Sequence, residues 1–201
     1  MSFHPLMVYA PGTFQQSERR MVDAGPPFAL TPERRQQLDE ILSKYPPDRK
    51  PSAVLAALYL VQEQQGYLTA NGMRHIAPLL DMTPAEVEDV ATYYVMFYKA
   101  PVGKYVLQVC RTLSCALAGA ERVTEALSAK LGIQVGETDA SGMFTLLEFE
   151  CLGACDRAPV VMVNNELWHE SVSPESCGRL VDDIRAKGDA AFTGCHLKVE
   201  R

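Results

Sequence analysis

The sequence predicts an α+β protein: a small helical bundle followed by a compact layer of strands and helices. Three observations carry that class. Apolar residues recur at helical spacing through residues 31–97, the run KAPVGK at residues 99–104 breaks the pattern, and beyond it short β-rich runs alternate with helical ones. A chain of 201 residues, 47% hydrophobic and 22% charged, is long enough and apolar enough to bury a real core.

Residues 1–29 contain Pro5, Pro11, Gly12, Gly25, Pro26 and Pro27 with no apolar periodicity, and read as an extension ordered by a partner. Residues 30–98 form the bundle. Thr31 and Pro32 make an N-cap and N1 pair, Leu38, Ile41 and Leu42 line one face, and Pro46 and Pro47 stop the first helix. A second helix runs from about residue 51 to Gln65 and closes at Gly66. Thr69 caps a third through Met73, Ile76 and Leu80, and TPAE at residues 83–86 is a capping box opening a fourth, with Val87, Val90, Ala91 and Tyr94 inward. Four short helices with tight connections predict a bundle.

Residues 99–104 are the predicted linker, residues 105–186 the α/β domain and residues 187–201 a C-terminal tail. Strands are expected at residues 105–109, 144–149 and 159–163, and a helix at residues 116–131 ended by Gly132. Asn164-Asn165 is a hairpin turn into Leu167-Trp168, and Ser173-Pro174 starts a last helix to about Arg185.

Composition excludes several classes. Nineteen Lys and Arg against 25 Asp and Glu leave a net charge of −6, so no basic excess exists to bind nucleic acid. The longest apolar run, residues 53–61, is far short of the roughly 18–20 residues of a membrane span. The N-terminus lacks a basic stretch followed by a sustained apolar one, so no signal peptide is expected. None of the 13 glycines are two or five apart, which excludes the G-x-G-x-x-G and Walker A phosphate loops.

A reducing compartment makes six cysteines metal or redox candidates before disulfides. Four residues separate Cys110 from Cys115, three separate Cys151 from Cys155, and 35 lie between the pairs. Each pair adjoins a predicted strand end, so two neighbouring loops can make a four-thiolate pocket, with Gly153 giving the backbone room to pass close to it. Four thiolates suit an iron–sulfur cluster or zinc. The pairs lack C-x-x-C, the plant-type ferredoxin run and nearby His ligands; two separated pairs fit two irons better than four, and zinc stays open.

The runs VGKYVLQVCRTLSC and GETDASGMFTLLEFECLGACDRAPVVMVN, with YLVQEQQGYLT and PAEVEDVATYYVMF upstream, resemble the thioredoxin-like 2Fe-2S subunit of bacterial NADH–quinone oxidoreductases, the counterpart of the small iron–sulfur subunit of mitochondrial complex I. The resemblance spans about residues 52–184. It implies a thioredoxin-like 2Fe-2S ferredoxin domain after the bundle, with Cys110, Cys115, Cys151 and Cys155 ligating one 2Fe-2S cluster. It further implies a flavin-bearing, NADH-binding partner that holds the FMN and NADH sites, an adjacent iron–sulfur subunit, and a place in the peripheral arm on the cytoplasmic side of the inner membrane. The same module in an NAD-dependent formate dehydrogenase or NAD-linked hydrogenase, and a zinc-bound adaptor, are the competing readings.

Other residues have plainer expectations. Cys177 is a packed helix residue, Cys195 lies in the tail, and His4, His75 and His196 are not ligands. Trp168 packs, and Tyr93, Tyr94, Phe97 and Tyr98 are read as packing between the two domains. Backbone N–H groups of the two cysteine loops, with Arg111 and Arg157, are candidates to stabilise negative charge at the cluster, against Glu148 and Glu150.

Overall fold

The computed structural model describes residues 25–192, which divide after Pro101 into a helical unit and an α/β unit. The reading of residues 1–24 as a partner-ordered extension lies outside them.

In the helical unit, α1 (Pro32–Leu42) begins as its sequence dictates: the Thr31 hydroxyl accepts the Arg34 N–H and Pro32 sits where its missing N–H costs nothing. A 3₁₀ turn (Pro47–Ala53) leads into α2 (Val54–Gln65), so the second helix starts later than its apolar pattern suggests because Pro51 occupies its approach. Gly66 ends α2 at φ +87°. Next come α3 (Ala70–Ile76), a 3₁₀ turn (Ala77–Leu80) and α4 (Pro84–Tyr93), whose capping box joins Thr83 and Glu86 reciprocally. Leu38, Ala57, Leu58, Val61, Met73, Ile76, Val87 and Ala91 share one buried core.

Residues 25–30 belong to this unit. Leu30 N–H donates to His75 Nε2 at 3.3 Å, Phe28 packs edge-on against the same imidazole, and Asn71 Nδ2 donates to Gly25 O. The aromatic group at the end of α4 divides: Phe97 is fully buried in the helical core against Tyr59, whereas Tyr93 is 79% exposed. Phe97 is therefore core packing of the bundle, which corrects the interdomain role expected of it. Gln62, buried on α2, holds the segment after α4 by donating to Met96 O and accepting the Tyr98 N–H.

The α/β unit is built on a four-stranded mixed sheet ordered β2-β1-β3-β4. Strand β1 (Tyr105–Cys110) runs parallel to β2 (Phe144–Phe149) and antiparallel to β3 (Val161–Val163), and β3 is antiparallel to β4 (Leu167–His169). Asn164 and Asn165, at φ +55° and +59°, make the β3–β4 turn, and the Asn164 side chain also accepts the Val106 N–H. β3 is shorter than the sequence suggests, since Pro159 has no N–H to give a ladder.

Between β1 and β2 the single helix expected at residues 116–131 is two helices, α5 (Leu113–Leu117) and α6 (Ala120–Leu131). Gly119, at φ +96°, breaks the helical path between them. Helix α7 (Pro174–Lys187) follows β4, and the 3₁₀ turn after it (Gly188–Phe192) packs back on the unit: Asp189 accepts the Tyr105 hydroxyl at 2.6 Å and Phe192 lies against the Tyr105 ring. These five residues, assigned by sequence to the tail, are part of the fold. Val123 and Leu127 of α6 and Val181 and Ile184 of α7 cover one sheet face through Leu107, Val109, Leu146 and Val163. Each such side chain contributes about 1.5–3 kcal/mol on burial, which fixes the sheet and with it the loops at its end.

Candidate metal centre

The pairing register explains why two cysteine loops, 35 residues apart in sequence, meet. Cys110 is the last residue of β1 and stands opposite Phe149, the last residue of β2. Its N–H donates to Val160 O at 3.0 Å, and the next N–H, of Arg111, donates to Phe149 O at 2.9 Å. The first cysteine is thus locked between the starts of the loops that follow β2 and precede β3. Cys115 follows on α5, which packs against the 3₁₀ turn Cys155–Arg157. Cys110 and Cys115 are buried, and Cys151 and Cys155 are exposed.

The second loop is held at several points. Trp168 Nε1 donates to Leu152 O at 2.9 Å, so the indole is a loop anchor as well as packing. Ser171 N–H donates to Arg157 O, Val172 N–H donates to Pro159 O, and the Ala158–Pro159 peptide is cis. Gly153 adopts φ +78°, and no protein atom lies within 4 Å of where a Cβ would stand. Its role is conformational: the turn at Gly153 aims its own N–H at Cys151 Sγ, 3.4 Å away.

The thiols interact as two pairs. Burial, with the neighbouring Cys110 thiol, pushes the Cys115 thiol up to about 11. Burial also opposes ionisation of Cys110, but the Thr112 hydroxyl and the N–H groups of Thr112 and Leu152 outweigh it and bring that thiol below its ordinary value. The Cys151 contact raises Cys155. A charge on Cys155 also raises Cys115, and the contact of α5 with the Cys155–Arg157 turn sets the two loops side by side.

This donor set fits a two-iron cluster. Four thiols on two neighbouring loops would hold such a cluster, with the Gly153 N–H directed at Cys151 Sγ and the Thr112 hydroxyl beside Cys110 Sγ.

The flanking charges neutralise one another locally. Arg111 Nη2 lies 2.6 Å from Glu150 Oε1, and Arg157 Nε lies 3.5 Å from Asp156. Arg111 therefore carries its counter-charge beside it, which weakens the field it projects on the thiols. Cys177 is fully buried on α7 and donates to Pro174 O, away from the four. Cys195 lies outside the described residues. The sequence pointed to backbone N–H donors from the two loops, as Gly153 is, but not to the Thr112 hydroxyl.

Comparison with known proteins places these residues in a recognised setting. The family described as thioredoxin-like 2Fe-2S ferredoxin matches residues 38–185. NADH-quinone oxidoreductase subunit 2 of Thermus thermophilus is 42% identical over 149 residues, covering 74% of this chain and 82% of that one. A subunit of the NADH-quinone oxidoreductase of Rickettsia bellii is 40% identical over 148 residues, covering 73% and 88%. The like-named subunit from Mycobacterium bovis is 43% identical over 154 residues, covering 77% of this chain but 60% of that one. An NAD⁺-reducing NiFe-hydrogenase in the H₂-reduced state shares the fold at a TM-score of 0.63 and 20% identity, over 76% of this chain and 26% of that one. No described helix is long and apolar enough to cross a membrane.

Proposed function

The chain belongs to the thioredoxin-like 2Fe-2S ferredoxin family, and from that premise we propose that Cys110, Cys115, Cys151 and Cys155 hold one 2Fe-2S cluster in an electron-transfer subunit of an NADH–quinone oxidoreductase. The observation that carries the reading is the meeting of two thiol pairs at the parallel ends of β1 and β2. Relatives 40–43% identical over about three quarters of the chain favour this complex over a formate dehydrogenase or hydrogenase.

When bound, such a cluster supplies a one-electron carrier. The protein's part is to hold and tune it. Cys110 and Cys115 anchor it from the buried side, the exposed Cys151 and Cys155 leave an edge open to a redox partner, and the Gly153 N–H donates to the exposed sulfur. The partner is a flavin-bearing subunit that binds NADH, with a further iron–sulfur subunit adjacent, in the peripheral arm on the cytoplasmic side of the membrane. Without a G-x-G-x-x-G or Walker A loop, this chain leaves hydride chemistry to that partner.

NADH added to the cluster-loaded chain alone leaves the visible absorbance unchanged; with the flavin-bearing subunit present, NADH bleaches it. Direct bleaching of the isolated chain by NADH would contradict the division of labour.

A further inference from the structure

Four helices in the described chain begin with a Ser or Thr whose hydroxyl accepts an N–H of the first turn: Thr31, Thr69, Thr83 and Ser173. Thr112 stands at the same position of α5, with the same extended backbone (φ −78°, ψ 170°), and makes no such cap. Its Oγ1 lies instead 3.4 Å from Cys110 Sγ. A hydroxyl that forgoes its helix for a buried sulfur has gained a partner it binds at least as well.

We propose that Thr112 is a positioning residue for electron transfer, whose hydroxyl donates to the Cys110 sulfur and raises the reduction potential of the centre. The inference rests on Cys110 being a cluster ligand. In the free thiol, Cys110 Sγ also contacts Glu150 O at 3.4 Å and can act as donor. A sulfur bound to iron has no proton, so between it and Thr112 Oγ1 only the hydroxyl can donate. Reduction adds one electron, breaks no bond and moves no proton of Thr112. Two ferric ions, two sulfides and four thiolates carry about −2, and the added electron takes this to about −3, part of it on the sulfurs. A donor to sulfur therefore stabilises the reduced form more than the oxidised one. Cys110 is only 2% exposed, so water cannot replace the hydroxyl and the low local dielectric strengthens its effect. The neighbouring Arg111, which could have served the same end, has Glu150 at 2.6 Å.

The test is a redox titration of the cluster-loaded full-length chain, followed by electron paramagnetic resonance, on native protein, Thr112→Val, Thr112→Ala and Thr112→Ser. Iron and sulfide are assayed on each. Val keeps the shape and removes the donor; Ser keeps the donor. With normal loading, Val and Ala show about a tenfold lower ratio of reduced to oxidised centre at a fixed potential, a fall of about 59 mV for one electron, and Ser stays close to native. A native midpoint in Val and Ala, or an equal fall in Ser, overturns the proposal while leaving the cluster assignment standing. Full iron and sulfide in Cys110→Ala, by contrast, would remove the reading on which it rests.

Discussion

Gly153 shows how a single residue is read differently from sequence and from structure. Between two cysteines it suggests a need for space, but the space beside it is open and the requirement is φ +78°. Gly153→Ala is expected to lower stability by about 1 kcal/mol, measured by urea unfolding, through backbone strain alone. Among the cysteines, substitution separates ligands from packing. Cys115→Ala is expected to lose the iron and acid-labile sulfide of the purified chain. Cys177→Ala keeps both, because its thiol faces Pro174 O, and costs about 1 kcal/mol for one hydrogen bond and a small packing loss. Spacing singled out the two cysteine pairs, and the β1–β2 pairing brings their loops together. The Thr112 hydroxyl was not legible in sequence, because a threonine at a helix start ordinarily caps the helix, and only the structure shows this one turned to Cys110 instead.

At the scale of elements, the helices with strong end signals match their sequence. Thr31-Pro32, Thr83 to Glu86 and Ser173-Pro174 each fix a helix start through local hydrogen bonds that need no tertiary context. Thr83→Ala is expected to cost about 1 kcal/mol of unfolding free energy with unchanged iron content, because α4 belongs to the helical unit. Where tertiary contacts decide, the sequence was less legible: an unbroken apolar period masked the break at Gly119, and nothing in residues 25–30 announces that they dock on α3. That docking carries a pH dependence. His75 Nε2 accepts the Leu30 N–H, which requires the neutral ring, and burial together with Arg35 lowers its pKa from 6.5. The unfolded chain then binds the proton more readily, so this contribution is present above about pH 6.5 and is lost as the pH falls toward the lowered folded value. Comparing the urea midpoint at pH 8 and pH 5.5 tests it: native protein is expected to lose more than His75→Gln, and equal losses would contradict the role of His75.

Across the whole molecule, two units are each built around their own core, and all four paired cysteines fall in the second. Composition and missing phosphate loops already separated electron carriage from hydride chemistry. The structure adds the physical reason that cysteine loops 35 residues apart lie side by side, which is the parallel pairing of β1 with β2 across the α5–α6 connection. A count of metal and sulfide therefore decides the matter. Anaerobically purified full-length protein is assayed for iron, acid-labile sulfide and zinc per chain, with electron paramagnetic resonance spectra before and after dithionite. About two irons and two sulfides are expected, with a signal only after reduction. One zinc per chain with no sulfide, persisting after attempted cluster reconstitution, would contradict the two-iron centre.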